Sequence, residues 1–238
     1  MPQCRWCGKR GFFLRVHENG LCCECNTIIV LDVRERTRCI EESMKHIERS
    51  KNMATRLSRC DVALTHLEAL LQYEEKEIPT IDPVPSSLIS ELEKEREDIV
   101  IEGTELKVEK RLARAKAAAT TKGKVGSADK ALQAIGEARI ELRDARSLDL
   151  LENQVRTFIY ERTLDSYLES GSKAEFKGQR AKALDSYQEA LFLIQTSDID
   201  DGSRVSSLGM VLTLQPSSRR CSRTAPQKIS EGVRPLVR

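Results

Sequence analysis

Four cysteines near the start of the chain, Cys4, Cys7, Cys22 and Cys25, form two pairs with two residues inside each pair and fourteen between the pairs. Two thiolates at that spacing can turn toward one ion, and two such turns complete a tetrahedral four-sulfur shell with zinc–sulfur bonds of about 2.3 Å. Gly8 follows the first pair, where a residue free to take positive φ lets backbone N–H groups face the thiolates. Four thiolates close the coordination sphere, whereas a hydrolytic zinc keeps a position open for water. The expected group is therefore one structural Zn2+ ion. The deaminase pattern of His-x-Glu followed by Pro-Cys-x-x-Cys is absent.

The second pair offers a choice, because Cys22-Cys23-Glu24-Cys25 carries three thiols for two places. Spacing favours Cys22 with Cys25 and leaves Cys23 as the alternative to Cys22. His17 falls within the intervening segment and is expected to face solvent. Cys39, Cys60 and Cys221 have no partner at ligand spacing and read as small buried or inert residues.

The elements that must hold these cysteines can be read between them. Phe12, Phe13, Leu14 and Val16 suggest a short strand, and Glu18-Asn19-Gly20 supplies an Asn-Gly reversal into Leu21 and Cys22. The second pair then enters a segment of helical character. A knuckle, a β-hairpin and a second pair at the start of a helix resemble the treble-clef class of zinc fingers over residues 1–40. That resemblance implies a small zinc-binding β-hairpin module with Cys4, Cys7, Cys22 and Cys25 as ligands. The β-branched run Ile28-Ile29-Val30-Leu31 could instead be a strand, giving a zinc ribbon with the same ligands. Trp6, Phe12 and Phe13 have two readings: stacking surfaces for nucleic acid beside Arg5, Lys9, Arg10 and Arg15, or a cover over the metal that supplies the small module's core. The second is the expectation.

Downstream the chain is expected to be mostly α, built of antiparallel helical hairpins. Residues 41–74 read as one hairpin, with the stripe Ile40, Met44, Ile47 and then Leu57, Cys60, Leu64, Leu67, Leu71 and a break within 51–61. EKEIPTIDPVPSS, residues 75–87, is a Pro-rich linker, with Ser86 or Ser87 capping a helix from about Leu88. The charges of Glu91–Glu97 read as a solvated face.

Residues 88–200 then read as a repeat-like array. Gly126, Ala131, Leu132, Ile135 and Ala138 follow the same pattern as Gly178, Ala183, Leu184, Tyr187 and Ala190: a Gly-containing turn, then Ala-Leu, a larger apolar residue and Ala. The second copy, residues 164–197, resembles a tetratricopeptide repeat through Tyr167, Gly171, Gly178, Ala183, Tyr187, Ala190 and Leu191. That resemblance implies an α-solenoid type of helix stacking and a protein or peptide ligand. The offset of 52 residues between Ala131 and Ala183 departs from that family's period of about 34. An unrelated helical bundle with Ala-rich contacts is the alternative.

Composition bounds the function. Aromatics are 4% and charged residues 32% of 238 residues, a soluble, helix-prone balance. No secretory signal and no apolar run of about 18 residues is evident. The chain is expected in the cytoplasm, where reduced thiols serve as ligands. Neither a phosphate-binding Gly loop nor a Ser-His-Asp or Cys-His arrangement is present. A non-enzymatic adaptor or scaffold that binds protein is expected, without a membrane role; a nucleic-acid-associated protein using the metal module and the basic C-terminal tail is the alternative.

That tail, residues 201–238, is rich in Ser, Arg and Pro, and from Ser203 onward carries seven basic residues against one acid, Glu231. It reads as disordered, and as either a partner-binding arm or the product of a shifted reading frame. Truncation after Asp201 is expected to leave the thermal midpoint almost unchanged. In scanning calorimetry a fall of about 4 °C, roughly 1 kcal/mol for a chain of this size, would instead place Val211, Leu212 and Leu214 in a docked cap.

Overall fold

The computed structural model describes residues 1–197, so the end of the expected array at residue 200 and the tail at 201–238 lie outside the described residues. Among the described residues six α-helices follow a short N-terminal segment: α1 Cys23–Arg49, α2 Met53–Glu74, α3 Pro85–Ala117, α4 Thr121–Glu141, α5 Asp149–Phe176 and α6 Arg180–Thr196, with a 3₁₀ turn at Ala145–Leu148. The chain divides into two compact units, residues 1–162 and a second beginning at Thr163; the division falls inside α5.

The mostly α class is present, but the β-hairpin module is not. Among the described residues there is no strand, only isolated antiparallel bridges at Gln3–Arg10 and Val16–Cys22. The physical reason lies in two turns. Leu14 N–H donates to Gly11 O at 3.2 Å and bends the chain where the strand was expected, and the reversal at His17–Leu21 closes after a single bridged pair. No extended run is left to build a ladder. The Ile28–Leu31 run is helical, within α1, which removes the zinc-ribbon alternative. Ile29 alone of the four is buried; Ile28, Val30 and Leu31 are exposed. Its β propensity yields to the helical stripe of Ile29, Ile40, Ser43 and Ile47 that packs inward.

The first two helices form the expected hairpin, with Asn52 as the cap: its side chain accepts from Thr55 N–H at 3.3 Å. Two positions of the predicted stripe shift by one residue. Ser43 is buried in place of Met44, and Leu70 and Tyr73 turn inward more fully than Leu71. Helix α1 runs unbroken across residue 40, and the side chains of Cys4, Leu21 and Cys22 belong to the same buried cluster as Ile29, Ile47, Leu67 and Ile99. Fully burying a Leu or Ile side chain stabilises by about 1.5–3 kcal/mol, so this cluster supports the N-terminal part of the first unit, and a second cluster that includes Val108, Leu112, Ile135 and Val155 supports the rest.

The Pro-rich connection is shorter than expected. Proline opens α3 at Pro85, where its missing N–H costs nothing. Ser86 does not cap; its N–H and hydroxyl donate to the Glu74 carboxylate at 2.9 and 2.6 Å, tying the end of α2 to the start of α3. Ile78 is buried under the connection.

The charged run of α3 is not a purely solvated face. Arg56 of α2 pairs with Glu95 and Glu102 at 2.9 Å each, Arg96 reaches Asp61 at 3.1 Å and Glu141 of α4 at 3.6 Å, and Arg143 pairs with Glu93. These pairs cross between helices, which an i,i+4 reading of the sequence does not reveal. Helix α3 also continues straight through Gly103, whose bare Cα lets Met53 of α2 lie against it. In α4, Gly126 is an exposed interior helix residue rather than part of a turn. Thr120 caps the helix by accepting from Gly123 N–H at 3.2 Å, and Ala128, Ala131, Ile135 and Ala138 are its buried stripe.

In the second unit, α6 and the C-terminal part of α5 form a helical hairpin turned at Gly178. Tyr187 is 1% exposed; its hydroxyl donates to Glu175 Oε2 at 3.2 Å, and its ring lies against Gly171. A Cβ at position 171 would come within 2.7 Å of the ring, whereas one at position 126 would meet nothing within 4 Å. The prediction is a matched pair. Gly171→Leu is expected to cost about 1–3 kcal/mol through overpacking, and Gly126→Ala to add up to about 1 kcal/mol through helix propensity. Urea unfolding followed by circular dichroism reads both, and stabilisation by Gly171→Leu would disprove the close approach.

Candidate metal centre

Helix α1 begins at Cys23, so Cys22 sits at its N-cap and Cys25 one turn in, both at the head of the helix. The first pair is shaped by a knuckle: Gly8 N–H donates to Cys4 O at 3.0 Å, Cys4 N–H donates to Lys9 O at 3.0 Å, and Gly8 takes φ +71°. Residues with a Cβ rarely accept that conformation. The two halves are joined by Arg5 N–H to Gly20 O at 2.9 Å, and Gly20, at φ +79°, leaves the space that the Arg5 side chain fills.

These turns bring together the four predicted cysteines. The sulfurs of Cys4, Cys7, Cys22 and Cys25 all lie within 4.8 Å of one another, and those of Cys7 and Cys22 are 3.9 Å apart. A tetrahedral thiolate shell with metal–sulfur bonds of about 2.3 Å has sulfur–sulfur edges of about 3.8 Å, so the cluster has the dimensions to hold a metal ion. Cys23 is exposed and outside the cluster. His17 is exposed as expected, Cys60 is buried and Cys39 half-buried.

Electrostatics within the cluster are uneven. Burial works to raise the Cys4 thiol, but backbone N–H groups of Cys7, Cys22 and Trp6 and the Cys7 side chain outweigh it and hold the pKa down at about 6. One of those donors, Cys22 N–H, lies 3.3 Å from the Cys4 sulfur. Cys25 is pushed up to about 12 by burial and by its three thiol neighbours. A cation that displaces the remaining proton relieves that conflict, because it favours all four thiolates at once.

The base on which the cluster stands was not legible in the sequence. Trp6 lies against Tyr73 at the end of α2, with ring centroids 5.1 Å apart, and Lys76 Nζ sits 4.0 Å above the Trp6 ring. Arg5 reaches Glu77 through both its backbone carbonyl and its carboxylate. Tyr73 donates to Asp32 of α1 at 2.8 Å, and Asp32 also pairs with Arg36 at 2.8 Å. Burial and the Asp32 hydrogen bond raise the Tyr73 hydroxyl to about 12, keeping it a donor. Arg5 and Trp6 lie some seventy residues from their partners, and Asp32 lies 41 from Tyr73, beyond any local pattern; the scarcity of aromatics was the sole hint. Of the three aromatic residues expected in the small core, Trp6 packs against the buried cluster that contains Cys4 and Cys22, whereas Phe12 is 79% and Phe13 97% exposed. The bend at Gly11–Leu14 turns both outward.

No family profile, curated protein or solved structure matches this chain, so the geometry carries the functional argument by itself. It leads to a discriminating experiment. Cys22→Ser is expected to lose most of the bound metal and to shift the emission of Trp6, the single tryptophan, to longer wavelength as its contact with Tyr73 loosens. Cys23→Ser is expected to keep both metal and emission. Equal metal loss in the two variants, measured by elemental analysis, would remove the assignment.

Proposed function

We propose that this chain is a non-enzymatic intracellular adaptor or scaffold in which a structural zinc ion shapes the N-terminus and helical hairpins bind protein. The metal reading rests on donor chemistry: four thiolates are soft ligands that suit zinc, and four sulfurs leave no position for a substrate or water. The order of knuckle, reversal and cysteine-bearing helix head supports a treble-clef-like finger, with the β-hairpin reduced to single bridges. Zinc bound there would supply on the order of 10 kcal/mol to a segment with few apolar contacts of its own. Among the described residues no helix is long and apolar enough to cross a membrane.

The observation that carries the protein-binding reading is the α5–α6 hairpin. Its inner face closes through Gly171, Ala183, Tyr187 and Ala190, the small-against-large pattern of a tetratricopeptide-like pair, while Leu184 and Phe192 of α6 stay 52% and 62% exposed. A helix pair that stacks in an array keeps apolar side chains on an outer face for a neighbour or ligand.

Affinity capture from cell extract with the full chain tests the division of labour. Tyr187→Asp, which buries a charge in the hairpin, is expected to melt α6 and abolish capture of the protein partner. Leu184→Ser with Phe192→Ser, which leaves the inner face intact, is expected to weaken capture with unchanged helicity. Chelation of zinc is expected to leave capture intact. Capture that follows zinc and ignores both α6 variants would overturn this reading.

A further inference from the structure

We propose that Phe12, Phe13, Arg10 and Arg15, together with the cleft beside them, form a binding site for single-stranded nucleic acid. The two phenylalanines are consecutive and protrude from a loop that is pinned on both sides. Gly11 N–H donates to Pro2 O at 3.4 Å, Gln3 bridges Arg10, and the two metal-ligand pairs flank the segment. Apolar rings this exposed on a braced loop gain nothing for the fold and mark a contact surface.

The charge around them selects an anion. No acidic residue occurs before Glu18, while Arg5, Lys9, Arg10 and Arg15 do. Lys9 is neutralised by Glu24 at 2.7 Å and Arg5 is engaged with Glu77, but Arg10 and Arg15 are exposed and form no ion pair among the described residues. Two free guanidinium groups flanking two aromatic rings match a phosphate backbone and the faces of its bases.

The shape selects nucleic acid over a membrane. Phe13 and Arg15 border a cleft of about 330 Å³ with Lys9, Leu14, Cys23 and Glu24, within the range of small-ligand clefts. A base stacked on Phe13 can place its polar edge beside the Lys9–Glu24 pair. Insertion of the same tip into lipid would desolvate that pair without return. A single strand is required because stacking needs an unpaired base face. The site is independent of the protein-binding reading, since it uses no residue of α5 or α6.

Fluorescence anisotropy with labelled twelve-residue oligo(dT) and oligo(rU), using the zinc-loaded full chain, provides the test. Wild type is expected to bind with affinity that falls as salt rises. Phe12→Ala with Phe13→Ala is expected to weaken binding about ten-fold or more. Arg10→Gln with Arg15→Gln is expected to make the slope of log affinity against log salt less negative by about 1.4, at about 0.7 per lost single-strand phosphate contact. Leu150→Ala, another exposed apolar residue, is the control and is expected to change nothing. Binding that ignores the phenylalanines would assign the affinity to the basic tail and overturn the site. So would absence of oligonucleotide binding, or phenylalanine-dependent sedimentation with phosphatidylserine vesicles in its place. Metal content and circular dichroism of each variant separate loss of the contact from loss of the fold.

Discussion

The first unit depends on one helix serving two masters. The head of α1 carries Cys22 and Cys25, and its body contributes Ile29, Ile40, Ser43 and Ile47 to the helical core. Orientation of the sulfurs is therefore set by a rod whose rotation is fixed by packing against α2. Were α1 to turn by one residue, about 100°, Ile29 would leave the core and the second pair would miss the first. Metal geometry and core packing constrain the same angle. A ligand set built on a rigid element is held more precisely than one carried by loops alone.

The other half of the ligand set has no such rod, and contacts to the end of α2 replace it. Trp6 between Tyr73 and Lys76, and Arg5 on Glu77, hold the knuckle against the end of α2. Exposed ion pairs and cation–π contacts are each worth about 1 kcal/mol or less, so these contacts select one docking geometry more than they stabilise it. A metal ion held by the four thiolates would add the larger share of the knuckle's stability. The inter-helix pairs of Arg56, Arg96 and Arg143 follow the same logic: partly exposed and individually weak, they favour one helix register over its neighbours.

Two outcomes show where sequence patterning reaches its limit. At Phe12–Val16 the apolar run suggested a strand, but a strand needs a partner of matching length, and the turns on either side leave single bridges. At Ile28–Leu31 the β-branched run favours extension locally, yet continuous helical packing along α1 outweighs a propensity difference of well under 1 kcal/mol per residue. Both cases set local preference against long-range packing, and packing decides because it involves more surface.

The sequence by itself determined which four cysteines come together, because a pair of thiols two residues apart constrains geometry locally. It also determined most of the helical stripes and marked Gly171 and Tyr187 as positions of a repeat-like motif, because helix periodicity is written in residue type and spacing; that the Tyr187 ring packs on Gly171 came from the structure. The tertiary structure alone decided that Cys23 faces away from the cluster, that Trp6 rests on Tyr73 while Phe12 and Phe13 face solvent, and that the acidic run of α3 clamps its neighbours. Each of those depends on which distant side chains arrive at the same place, and burial, charge pairing and exposure are properties of that meeting rather than of any stretch of chain.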